Sequence, residues 1–174
     1  MMIRYVDATR PGSSHDAFVW SISQAYDFFL VKYQRGHRGS WLLADSGYAL
    51  QPFILTPYKD PRAGSVEHNF NLKHAAARNI IERVNGVLKS RFRCLQGCLH
   101  YTPLKASKII NVCSALHNIC RRYKVQLTEE LVLSNEAATI DDEETAAETI
   151  NSTSLFDAGT TIRNDIAEAL QRNR

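Results

Sequence analysis

The sequence predicts an α/β protein with an incomplete sheet and long packed helices, and three observations lead there. Two stretches, residues 69–92 and 103–123, repeat apolar side chains at helical spacing. The run Trp41-Leu42-Leu43-Ala44 is continuously apolar and stops at Asp45-Ser46-Gly47, the pattern of a buried strand entering a turn. Other strand signals are few, so helices dominate and the strands fall short of a full sheet. At 174 residues the chain has the size of one domain. No apolar run approaches the ~20 residues that cross a bilayer, and the basic N-terminus is not followed by a signal-peptide core. Membrane-spanning, collagen-like and disulfide-scaffold classes are thereby excluded as expectations.

Taken in order, residues 3–7 read as a short strand and Pro11-Gly12-Ser13-Ser14 as a turn, with Ser14 a suitable N-cap. Phe18, Val19, Ile22, Ala25, Tyr26, Phe29 and Leu30 then recur on one helical face, predicting a single helix to about Val31. Gly36 and Gly39 break it before the strand at 41–44. Residues 48–66 hold three of the five prolines and predict an ordered loop without regular structure. The helix at 69–92 would bury Ala77, Ile80, Ile81, Val84, Val87 and Leu88. The helix at 103–123, with Pro103 near its first position, would bury Leu104, Ile109, Val112, Leu116, Ile119 and Tyr123. A last short helix is expected at 161–171.

The formal charge of +3 conceals an asymmetry. Residues 1–124 carry a net +11, residues 125–150 a net −8 with no Lys or Arg, and residues 151–174 sum to zero. This divides the chain into a basic core at 1–124, an acidic linker at 125–150 and a short helical tail at 151–174. A basic core suits a polyanionic partner, because neutralising phosphates releases counterions. A solvated basic face beside a solubilising acidic linker fits the same numbers. The acidic stretch could also fold back on the basic face and compete with DNA. Four cysteines without a signal peptide suggest a reducing compartment. Cys113 and Cys120 share a helical face with apolar residues and read as small core residues. Cys94 and Cys98, with His100 and His117 nearby, have spacing too wide for an ordinary zinc knuckle.

Two carboxylates stand out. Asp45 ends the apolar strand, where α/β sheets build their sites. Glu82 lies on the long helix away from its apolar face, flanked at helical spacing by Arg78 and Asn85. Two such acids can converge on Mg²⁺ or Mn²⁺, and a pair of these ions can activate water for phosphodiester cleavage. Equally, Glu82 can pair with Arg78 on the helix surface, and Asp45 can close the turn.

Five ordered blocks give these residues a context. Pro11-Gly12-Ser13-Ser14-His15-Asp16, Leu42-Leu43-Ala44-Asp45-Ser46-Gly47-Tyr48, Leu55-Thr56-Pro57-Tyr58, the run from Arg78 to Phe92, and Leu116-His117-Asn118-Ile119-Cys120 resemble the PIF/Harbinger transposase superfamily. The likeness covers about residues 5–124 and extends to the Harbinger-transposase-derived nucleases of animals. It implies an RNase H-like fold, a DDE triad binding Mg²⁺ or Mn²⁺ and DNA as substrate; a nuclear location, with the cytoplasm as the alternative, and a separate DNA-binding partner protein are further expectations. By the resemblance, Asp45 matches the second acid of the triad and Glu82 the third, both as catalytic metal ligands. Arg78, Arg83, Lys89 and Arg91 match DNA-backbone contacts, and Asp16 is given a structural role at its helix start. The family's first aspartate lies in an Ile-Asp-Gly-Thr-His-like strand before the Pro-Gly-Ser block. Here ten residues precede Pro11 and none reproduces that strand, Asp7 being a poor substitute. The expectation is therefore an N-terminally truncated, impaired metal-dependent DNA endonuclease. The alternative is a catalytically inactive DNA- or protein-binding module.

Overall fold

The computed structural model describes residues 1–10, 14–125 and 152–172. The Pro-Gly-Ser turn at 11–13 and all of the acidic stretch except Val125 lie outside the described residues. The chain divides into two compact units, one of residues 15–78 and 152–172, the other of residues 1–10, 14 and 79–125.

The first unit is layered around a two-stranded parallel sheet, β1 (Leu42–Leu43) with β2 (Ile54–Leu55). Backbone bonds from Leu42 N–H to Phe53 O (2.9 Å) and from Ala44 N–H to Leu55 O (3.0 Å) fix the register. The second strand falls inside the stretch expected to be irregular. Pro52 and Pro57 bracket Phe53-Ile54-Leu55 so closely that turn signals outweigh a two-residue strand. Successive strand residues face opposite sides. Ile54 joins Ala44 and Phe53 under Trp20, Tyr26, Phe29, Leu30 and Tyr33. Leu55 joins Leu50, Phe70 and Ala167 on the other side, with Ile162, Ile166 and Leu170 packed against them. Both residues of β2 are thus buried, one on each face, which suits their apolar character, whereas Leu43 of β1 is 40% exposed.

Two helices, α1 (Asp16–Ser21) and α2 (Gln24–Gln34), replace the single helix expected to run from Ser14. Ser23 divides them. Its Oγ donates to Trp20 O (2.8 Å) and accepts from Tyr26 N–H (3.1 Å), stopping one helix and capping the next. The N-cap of α1 is His15, without a side-chain bond, in place of Ser14.

Helix α3 (Val66–Arg91) contributes residues 66–78 to this unit, with Asn69, Phe70 and His74 buried. The last helix, α5 (Ser152–Arg172), starts nine residues before the expected 161 and is built into the core. Its Arg163 Nη1 donates to Thr56 O and Pro57 O (both 3.2 Å), and Lys73 Nζ of α3 donates to Leu170 O (2.9 Å). Gly159 is required here, since a Cβ would lie 2.8 Å from the Gln51 carbonyl carbon.

The second unit contains residues 79–91 of α3, a 3₁₀ turn (Arg93–Leu95) and α4 (Pro103–Arg122). Pro103 occupies the first turn of α4 as its sequence position predicts. Residues 3–7, expected as a strand, form none. Instead the Asn118 amide takes the place of a neighbouring strand, accepting from Ile3 N–H and donating to Ile3 O, both at 2.8 Å.

The buried sides of these helices differ from the expectation. Val84 and Leu88 are buried, but Ile80 and Ile81 are 54% and 46% exposed. On α4, Leu104, Val112, Leu116 and Ile119 are exposed, as is Tyr123 at its C-cap, while Ser107, Cys113, Ser114 and His117 are buried. Amphipathic spacing identifies an apolar face correctly, yet this unit turns the smaller, more polar face of α4 inward.

Candidate active site

β1 positions the site. After Ala44 makes the last ladder bond, the chain leaves the sheet at Asp45, whose side chain is half-exposed. Its Oδ1 accepts from Gly47 N–H (3.2 Å) and its carbonyl from Tyr48 N–H (3.3 Å), so Asp45 does close the turn. Its Oδ2 accepts from Arg78 Nη2 at 3.1 Å, an ion pair across from α3. Arg78 therefore reaches the strand end, where surface pairing with Glu82 was the alternative. A side-chain carbon built on Gly47 would sit 3.2 Å from Asp45 Oδ1 and 3.8 Å from Asp16 Oδ2. Two carboxylates therefore flank the bare glycine backbone, and Gly47 leaves the space between them open.

Tyr48 and His74 complete the surroundings. Burial raises the Tyr48 phenol above its usual range, and the charges of Asp16 and Asp45 push the same way. Burial lowers His74 below the ordinary histidine value, with the Arg78 charge adding to it against the Leu55 carbonyl and Asp45. At neutral pH Tyr48 is thus a protonated phenol and His74 a neutral imidazole, whose Nε2 lies 3.1 Å from Leu55 O. The site's charge comes from two carboxylates and one guanidinium. All of its candidate cation ligands are hard oxygens.

Glu82 is exposed on α3, one helical turn beyond Arg78, and belongs to the second unit. Arg83 and Lys89 are exposed there too. Arg91 is half-buried, with Nη2 donating to Val125 O (2.9 Å) and Nε buried without a partner. Of the residues singled out in the sequence, the structure brings Asp45 and Arg78 into contact. It adds Asp16, Tyr48 and His74, which sequence reasoning did not place there. Sequence reasoning assigned Asp16 only a structural role at its helix start, because its approach to Gly47 depends on how α1 packs against the end of β1.

The family of DDE superfamily endonucleases matches residues 1–118, the span that holds Asp16, Asp45, Arg78 and Glu82. The chain belongs to that family. The chain is similar to "Putative nuclease HARBI1" of Xenopus laevis, 33% identical over 129 residues, covering 72% of this chain and 36% of that protein. It is similar to the Homo sapiens protein of the same name, 38% identical over 117 residues, covering 66% and 32% respectively. It also matches "Protein ALP1-like" of Arabidopsis thaliana, 28% identical over 147 residues, covering 77% and 36%. The Harbinger-type resemblance of the five blocks is thereby shown. The chain spans about a third of the length of these relatives. No solved structure matches it. Among the described residues, no helix is long and apolar enough to cross a membrane.

Proposed function

We propose that this chain carries part of the active site of a divalent-metal-dependent DNA endonuclease with an RNase H-like core, acting in the nucleus. The observation that supports it best is Asp45 at the carboxyl end of β1, with Asp16 facing it over Gly47. Each Asp45 oxygen accepts one hydrogen bond and so retains a lone pair for a cation. Mg²⁺ needs only one or two carboxylates when water and phosphate oxygens complete its shell. The Asp45 oxygens therefore suit Mg²⁺ or Mn²⁺; the resemblance assigns Asp45 as one ligand and, on residue identity alone, Glu82 as another. When bound, that ion supplies Lewis-acid activation of water and of the scissile phosphate. Arg78 holds the Asp45 carboxylate in place and presents positive charge where a phosphate would approach. Residues 79–125 carry nine Lys or Arg and a single acid, Glu82, which suits the DNA-backbone role of Arg83, Lys89 and Arg91.

A second reading, a DNA-binding module without catalysis that works with a separate partner protein, has one observation in its favour. Among the described residues no three His, Cys, Asp or Glu side chains gather as a metal site. Cleavage of a fluorescent DNA duplex with Mg²⁺ or Mn²⁺ separates the two. Asp45→Asn and Glu82→Gln should each lower the cleavage rate by at least about 100-fold, with duplex binding kept. Wild-type cleavage in both variants, or none in the wild type beside salt-dependent binding, would leave the module reading standing.

A further inference from the structure

A second feature of the first unit lies at the other end of β1. Trp41 stands immediately before the strand that Asp45 follows, so the two are four positions apart, at most about 14 Å of extended chain. Trp41 is 40% exposed and borders a cleft whose walls include Phe29 and Tyr33 of α2, together with Lys32, His37 and Arg38. None of the residues around the cleft is acidic. The sequence has no Asp or Glu between Asp27 and Asp45, while Lys32, Arg35, His37 and Arg38 lie between them.

The aromatic walls are held in place from behind. Phe29 stacks on buried Phe53 with ring centroids 6.2 Å apart, and Tyr33 packs against the same ring at 6.1 Å. Arg38 lies over the Tyr33 ring at 3.9 Å and donates through Nη1 to the carbonyls of Tyr33 and His37. The other tryptophan, Trp20, is spent on structure: it packs on Tyr26 and Phe29, and its indole N–H donates to Gln51 Oε1 (3.2 Å). Trp41 makes no ring-on-ring contact among the described residues. The adjoining loop turns through Gly36 (φ 85°) and Gly39 (φ 79°), and neither has anything within 4 Å of its missing side chain. An exposed indole, a fixed phenol and the cations Lys32 and Arg38, each held over an aromatic ring, make in an acid-free setting a platform for flat rings joined by anions.

We propose that this cleft binds unpaired nucleotides of a DNA strand, with a base against Trp41 and the adjoining phosphates near Lys32 and Arg38. Stacking needs an open base face, which a paired duplex conceals, so the ligand is single-stranded or locally opened DNA. The proposal deepens the endonuclease reading, resting on it for DNA as the ligand, and places a strand-holding site beside the cutting site. An acidic protein segment is the competing occupant. The cations would accept it, but it lacks a ring for Trp41.

The test is fluorescence anisotropy of the full chain with a labelled oligothymidylate of about eight nucleotides, in EDTA so that no cleavage occurs. Trp41→Ala should weaken binding at least about fivefold, and Trp41→Phe, which keeps a ring, should stay within about twofold. An abasic strand of equal length should bind wild type at least about fivefold more weakly, and should not distinguish wild type from Trp41→Ala. Asp45→Asn should bind oligothymidylate like wild type, so loss of cleavage in that variant bears on the endonuclease reading alone. Unchanged affinity in Trp41→Ala, equal binding of the abasic strand, or equal competition by polyglutamate would overturn the proposal. Circular dichroism spectra matching wild type would show that Trp41→Ala and Trp41→Phe are folded.

Discussion

In the unit of residues 15–78 and 152–172, Phe53, Ile54, Leu55 and Phe70 are exposed by 3% or less. In the unit of residues 1–10, 14 and 79–125, Leu104, Val112, Ile119 and Tyr123 are more than half exposed, and the buried positions are chiefly Ser90, Ser107, Ser114 and His117. Both units contain strongly amphipathic helices. The first also exposes Phe18, Phe28 and Leu72 by more than half, but among the described residues it alone has sheet faces and a second helix layer to receive apolar sides. The difference teaches that amphipathic spacing states what a helix face requires, and not whether the described chain supplies it. The consequence is a division of labour. The first unit is the rigid base on which Asp45, Arg78 and Asp16 are set. The second presents cations and uncovered apolar side chains.

The largest expected effect puts that contrast to a direct test. Leu55→Ala removes a side chain 2% exposed between α3 and α5, and should cost about 2–5 kcal/mol in urea unfolding. Leu116→Ala removes a leucine that is 43% exposed, and should change stability by less than about 1 kcal/mol. Equal losses would mean that the apolar face of α4 is packed in solution, and the comparison would fail.

How much of this could be read from the sequence follows the same line. The strand at Leu42–Leu43, the turn at Asp45 and Pro103 at the start of α4 were legible because each depends on local chemistry. The family resemblance was legible for the same reason, since its blocks are unbroken runs of residues. The break at Ser23 was hidden because an apolar period continues through it, while the serine hydroxyl competes for backbone bonds. β2 was hidden by its prolines. The Asp45–Arg78 ion pair joins residues 33 apart, and the facing of Asp16 and Asp45 across Gly47 depends on how α1 meets the end of β1. No pattern along one segment encodes such meetings. The depth of α5 was missed because its apolar residues, Ile162, Ile166 and Leu170, are few and give no hint of the groove that awaits them.

That groove gives the second prediction, of intermediate size. Alanine is a better helix former than glycine by about 1 kcal/mol, so Gly159→Ala would stabilise an unconstrained helix. Here the added carbon meets Gln51 backbone at 2.8–3.1 Å, and backbone cannot swing aside as a flexible side chain does. The clash should outweigh the propensity and give a net loss of about 1–3 kcal/mol, read as a lower urea midpoint. A rise in stability would place α5 farther from β2, and the first unit would lose its claim to the tighter packing.

The finest distinction between the units is one of pH. Each buries one histidine whose pKa is lowered from the ordinary 6.5, chiefly by burial: His74 in the first unit, His117 in the second. A lowered folded-state value means that the unfolded chain takes up protons first as pH falls through about 6.5. Stability is therefore retained above that pH and declines below it, until the folded values are reached. The two sites differ in their partners. His74 Nε2 meets Leu55 O at 3.1 Å, whereas His117 is 0% exposed, with Nε2 3.3 Å from Met1 O and a buried Nδ1 that has no partner. Urea midpoints measured between pH 7.5 and about 5.5 should fall in wild type. His117→Gln and His74→Gln should each flatten that slope, and the double variant should flatten it further. A slope unchanged by His117→Gln would show that its imidazole reaches water. The second unit would then be open at the very position where α4 is most buried.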